Sequence, residues 1–108
     1  MLPLLVLSTF PDVDTARRIV RACVEERLVA CGNLVPGVES IYRWKGQIET
    51  ATEVFVMFKT TVESYPRLEA RITELHPYEV PEIVALSPSG GLPKYLEWIL
   101  DETGAEDR

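Results

Sequence analysis

The apolar positions fall into short runs whose period changes along the chain. "PLLVL" at 3–7 is an unbroken apolar run of strand length. From Pro11 to Gly32 the period becomes helical. Ala16, Ile19, Val20, Cys23, Val24 and Leu28 form one stripe, and Arg17, Arg18, Arg21 and Glu25 take the other side. Asp12 or Asp14 can cap the start of this helix, and Gly32 can end it. "NLVPGVESIYRW" and "IETATEVFVMFKT" read as two strands joined at "KGQ", a glycine-containing hairpin turn. "VESYPRLEARITELH" returns to helical spacing, with Tyr65, Leu68, Ile72 and Leu75 on one stripe. "EIVALSP" predicts a fourth strand and "LPKYLEWIL" a short terminal helix. The charged tail "DETGAEDR" is expected to fray.

Strand, helix, strand, strand, helix, strand is the order of the ferredoxin-like split βαβ fold, here with an extra C-terminal helix. The class is α+β, in a single domain over residues 1–108. In that fold the two long helices cover one sheet face, and strands with one wet face should alternate. "LLVL", "VFVMF" and "IVAL" do not alternate, so a second apolar face is left over. An uncovered patch of that size is rare on a monomer. Other copies of the chain should cover it. The alternative is that the terminal helix, with Tyr95 and Trp98, folds back and covers it alone.

Composition narrows the function. The formal net charge of -6 argues against nucleic acid, whose phosphates call for a surplus of Lys and Arg, and against an anionic membrane surface. No apolar run approaches the ~20 residues of a membrane span. "MLPLLVLSTF" has no basic start and reads as a buried strand rather than a leader. Cys23 and Cys31, if carried on one helix, stand about 12 Å apart along it, too far for a disulfide. Reduced thiols fit a cytoplasmic location.

"ACGNLVPGVESIYRWKGQIE", "KTT", "HPYEVPEIVAL" and "YLEWIL" follow one another in this order. A Cys and Asn after helix one, Tyr-x-Trp-x-Gly at a hairpin and His-Pro-Tyr-x-x-Pro-Glu before the last strand resemble the CutA family of divalent-cation tolerance proteins. The likeness runs from Val6 to Leu100. It implies a ferredoxin-like subunit in a tight, non-enzymatic homotrimer. It implies an architecture shared with trimeric nitrogen-signalling regulators that bind small effectors between subunits. It also implies a link to copper and other divalent metals. Some relatives carry a cysteine at the end of strand one and a His-His pair before the Pro. Here those places hold Ser8 and Leu75-His76. Without the thiol and the second imidazole that soft copper prefers, any copper or zinc is expected to bind weakly.

His76, the only histidine, stands where Pro77 stops the second helix. It reads either as a helix-ending residue or as a metal ligand with Glu79 and Glu82. In an extended segment His76 and Glu82 can share a face. The helix C-terminus there would favour the imidazolium, which a metal must displace. Lys59 reads as a snorkelling edge lysine or as a cleft cation pairing with Glu82 or with an anionic effector. Tyr42 and Trp44 share a face of their strand, with Arg43 opposed. They read as a core or subunit-contact pair, or as an aromatic wall for a ligand, with Lys59 and Arg43 as further contacts. A Cys31–His76 nucleophile pair is disfavoured, because Cys31 lies past the C-terminal end of the predicted helix. In "HPYEVPE" the prolines stiffen a corner, and Tyr78 is expected to lie buried beneath it with its hydroxyl on a polar partner.

Overall fold

A computed structural model describes residues 2–104. The elements are β1 (Pro3–Phe10), α1 (Val13–Glu25), β2 (Cys31–Trp44), β3 (Gln47–Thr61), α2 (Tyr65–Leu75), β4 (Val84–Leu86) and α3 (Pro93–Glu102). The strands form one sheet in the order β2-β3-β1-β4, antiparallel throughout. This is the ferredoxin-like arrangement the element order predicts, with α3 added. Among the described residues no helix is long and apolar enough to cross a membrane.

The core lies between the sheet and the two long helices. Val6, Phe10, Val54, Val56 and Phe58 meet Ala16, Ile19, Val20 and Cys23 of α1 and Leu68 and Ile72 of α2. Burying each such aliphatic or aromatic side chain contributes about 1.5–3 kcal/mol, so this layer dominates the stability of the chain. Asp12 caps α1, accepting the Thr15 N–H at 2.7 Å. Arg71 of α2 reaches Glu26 at 2.8 Å, tying the two helices at the surface.

The first helix ends earlier than its apolar pattern predicts. It stops at Glu25, and Arg27 takes a left-handed φ of 58° that reverses the chain. Arg27 is held there from outside: its side chain donates to Asp101 O at 2.8 Å and to Gly104 O at 3.3 Å. Thr103 and Gly104 are thereby buried rather than frayed, while 105–108 lie outside the described residues. Gly32 belongs to β2, opposite Phe58, and does not end α1. A Cβ on it would sit 2.7 Å from Val20 Cγ1, so its role is to let α1 approach the sheet. Val62 continues the ladder, donating to Leu2 O at 2.8 Å, which delays α2 to Tyr65. β4 is trimmed to Val84–Leu86. Pro88, which has no N–H, cannot prolong the ladder.

β2 and β3, 14 and 15 residues long, make a hairpin closed by Lys45 (φ 51°) and Gly46 (φ 79°). Positive φ at both turn residues matches the twist of the strands. The molecule measures 46 × 27 × 21 Å. At about 3.3 Å per residue the hairpin alone spans its longest dimension.

Directly paired residues share a sheet face. Leu5, Leu7 and Thr9 pair with Lys59, Met57 and Phe55, and Leu5 and Leu7 pair also with Leu86 and Val84. All of these lie on the second face, turned away from α1 and α2. α3 packs on β3 and β1 over the Lys59 end, where the Lys59 ammonium stands 5.6 Å from the Tyr95 ring. It does not close the face: Val84 and Leu86 remain 47% and 46% exposed.

Candidate functional site

The β2 ladder carries a register shift between Val35 and Val38. Before it, Leu34 pairs with Val56 on the helix side; after it, Tyr42 pairs with Glu49 and Trp44 with Gln47. The bulge therefore sends even-numbered β2 residues to the second face. Ser40, Tyr42 and Trp44 there line a cleft of about 610 Å³ with Thr9, Glu49, Glu53, Pro77, Tyr78, Glu79, Val80 and Glu82.

The corner at 76–82 forms one wall of this cleft. His76 caps α2, with φ −73° and ψ 136°, the extended geometry that a following proline requires. Its ring is 8% exposed and stacks on Phe10 at 4.6 Å. Nε2 lies 2.7 Å from Thr9 O, and Nδ1 is 3.1 Å from the Tyr78 N–H. A carbonyl only accepts and an N–H only donates, so Nε2 carries the proton and Nδ1 accepts. The imidazole is neutral in this network. Burial, more than anything else, pushes its pKa below the ordinary value, against the upward pull of the Thr9 carbonyl and the Glu53 charge.

Tyr78 extends the network. Its hydroxyl donates to Glu53 Oε2 at 2.6 Å, and burial, followed by that bond, raises its pKa well above the ordinary phenol value. The polar partner expected for Tyr78 is thus Glu53, although the ring is half-buried rather than enclosed. Glu53 is 8% exposed and was not singled out in the sequence. A glutamate heading the apolar run "VFVMF" was the available signal, but its partner lies 25 residues away and only the fold joins them.

The remaining candidates separate. Glu79 and Glu82 reach the cleft, and so do Tyr42 and Trp44. His76 is not part of its lining, because both ring nitrogens turn to Thr9 and Tyr78. The expected His76–Glu82 convergence is therefore absent from the single chain. Lys59 and Arg43 also fall outside the lining. Lys59 sits ten positions along β3 from Glu49, about 33 Å at the rise of a strand, and faces Tyr95 instead of Glu82. Arg43 alternates to the opposite side from its neighbours. Cys31 pairs with Lys59, far from His76, so no thiol–imidazole pair forms. Cys23 and Cys31 are both free, on α1 and β2 rather than on one helix, and burial raises the Cys23 thiol to about 12. Ser8 is fully buried on the helix side with no partner for its hydroxyl among the described residues. Among the described residues no three His, Cys, Asp or Glu side chains converge as a metal site.

Comparison with known proteins places this geometry. The family model for "CutA1 divalent ion tolerance protein" matches residues 4–102. The divalent-cation tolerance protein CutA of Thermus thermophilus is 50% identical over 99 residues, covering 92% of this chain and 96% of its own. Human protein CutA is 45% identical over 95 residues, covering 88% of this chain; the match spans only 53% of the human protein. The solved divalent cation tolerance protein (Cut A1) from Thermus thermophilus superposes with a TM-score of 0.93 at 48% identity, covering 95% of this chain and all of the other. Sequence and fold agree over nearly the whole length, and the chain belongs to the CutA1 divalent ion tolerance family.

Proposed function

We propose that the protein serves divalent-ion tolerance as a non-enzymatic homotrimer that buries the second sheet face between subunits. The observation carrying this reading is the incomplete cover over that face: α3 leaves Val84 and Leu86 nearly half exposed beside Leu5, Leu7, Phe55 and Met57. Light scattering at micromolar concentration should give about three times the 12.2 kDa chain mass. A stable monomer overturns the proposal.

Metal ions fit this reading as weakly held partners. With His76 committed to the corner and Ser8 in place of a thiol, the donors left in the cleft are carboxylates, Glu79 and Glu82 among them. Oxygen donors suit hard or borderline divalent ions better than copper(I). Zinc or copper(II) should titrate more weakly than about 0.1 mM, the range of loose oxygen sites. Tight copper binding that disappears in His76→Ala would restore His76 as a ligand. Free Cys23 and Cys31 support a cytoplasmic location, where thiols stay reduced.

A second reading is favoured by the cleft itself. Its volume and its aromatic wall suit a small effector. The charge expected for that effector reverses, because Lys59 and Arg43 do not line the cleft.

A further inference from the structure

We infer that α3 is a strap latched by Arg27: it lifts from the sheet as a unit without unfolding the core, and the Arg27 side chain sets how often it does so. Neither a free surface nor a metal ion enters into it.

Within its own chain α3 is held at its C-terminal end. Ile99 is the one buried residue of the helix, and the next buried positions, Thr103 and Gly104, lie just beyond it. The N-cap, Leu92, makes no side-chain hydrogen bond to the first turn. Residues 87–92, with no helix or strand of their own, are the whole link back to β4. A helix of 10 residues is too short to persist in water by itself, so its order depends on what docks it. By contrast, α1 buries Ala16, Ile19, Val20 and Cys23 along its length.

The dock converges on Arg27, just past the end of α1. Its guanidinium donates to Asp101 O at 2.8 Å and to Gly104 O at 3.3 Å, and stands 3.9 Å from the Glu102 carboxylate. The Arg27 carbonyl accepts the Gly104 N–H at 2.8 Å. Asp101 O is among the carbonyls that a helix end leaves without a partner, and the guanidinium sets a positive charge where the helix dipole is negative. The two side-chain bonds use the planar fork of arginine, which the single ammonium of lysine cannot copy. These bonds offset the cost of the left-handed φ of 58° at Arg27. Coupling of this kind is reciprocal, so what fixes the turn fixes 101–104 as firmly. The partners are 74 and 77 positions apart in sequence, so their release leaves the local contacts of α1 and α2 in place.

Closed, α3 lies on β3 and β1 over Lys59 and sets the Tyr95 ring against its ammonium. Lifted, it uncovers that end of the second face. A residue at the end of α1 thereby governs the cover on the sheet face turned away from α1.

Native-state hydrogen exchange of the full chain in sub-denaturing urea tests the latch. Amides of 97–101 should exchange through an opening with less than half the urea dependence shown by amides of α1. Ile72→Val, a small cut in the core, should quicken the α1 amides and leave 97–101 within twofold. Arg27→Gly removes the guanidinium and keeps the left-handed turn, which glycine adopts freely. It should quicken 97–101 at least tenfold. Gly104→Ala, strained at φ 108°, attacks the latch from the other side and should quicken them at least threefold. The inference is overturned if 97–101 follow the α1 amides in Ile72→Val, since α3 would then open only with the core. It is overturned as well if both latch variants leave 97–101 unchanged. Phe55→Ala thins the second face away from Arg27 and should leave 97–101 as slow as before. Should it free them as much as Arg27→Gly does, another copy of the chain holds α3, and Arg27 is no latch.

Discussion

The two faces of the sheet come from the same strands and differ in what lies over them. On β3, Phe58 is fully buried beneath the helices, while Phe55, three positions earlier, is only half-buried on the second face. Both belong to one apolar run, "VFVMF". An apolar strand therefore does not report its own burial; the cover does. The helix face is closed within the chain by local, cooperative packing. The second face depends on α3 at one end and on the corner loop at the other, with apolar surface between them.

The largest effect should separate the two faces directly. Phe58→Ala should cost about 3–5 kcal/mol, the usual penalty for a buried phenylalanine, and by the same amount at every protein concentration. Phe55→Ala should cost less at high dilution and more as the concentration rises, because association rewards only the assembled form. Urea melts of both variants across a hundredfold concentration range would show this. A Phe55→Ala cost that ignores concentration would mean that the chain closes its second face by itself.

At the corner end the comparison sharpens. Tyr78→Phe removes a hydroxyl that donates to a nearly buried carboxylate and should cost about 1–3 kcal/mol in the same melts. If the loss falls under 0.5 kcal/mol, about the size of an ordinary surface change, water serves Glu53 as well as the hydroxyl does. Acid should act on the same network. His76 is neutral in the fold with its pKa held below 6.5, so the unfolded chain takes up a proton first. Stability should be fully present above pH 6.5 and fall as the pH drops below it, levelling once the folded imidazole also protonates. His76→Gln should flatten the part of that slope below pH 6.5, measured by urea midpoint against pH. The smallest effect belongs to Glu79, exposed on the same corner: Glu79→Ala should change stability by less than about 0.5 kcal/mol.

Much of this was legible in the sequence because it is written locally. The stripes of α1 and α2, the Lys45–Gly46 turn and the stop at Pro77 each depend on residues a few positions apart. The family likeness rests on such short motifs too. What stayed hidden is relational. Leu28, Val29 and Ala30 continue the apolar pattern of α1, yet Arg27 turns the chain, held by carbonyls from the far end of the sequence. The Val35–Val38 bulge changes which parity of β2 faces the cleft; Pro36-Gly37, with Gly37 at φ 76°, is its mark in the sequence, but the hydrophobic period across it is not interrupted clearly enough to show the change of face. Within the single chain the ligands expected around His76 do not converge, because its two ring nitrogens meet backbone groups that sequence does not bring near. Lys59 reads from sequence either as an edge lysine or as a cleft cation, and only the fold sets its ammonium against the Tyr95 ring.

The long hairpin has a consequence for how the molecule turns in solution. A protomer of 46 × 27 × 21 Å is a rod rather than a ball, and it rotates slowly end over end and quickly about its length. Strand N–H bonds lie across the hairpin axis, whereas helical N–H bonds run along the helix axis. In a lone protomer, nitrogen relaxation should therefore split amides of β2 and β3 from those of α1 and α2 into two populations of apparent correlation time. Three such rods bundled side by side approach a sphere, and the two populations should merge into one slower tumbling rate.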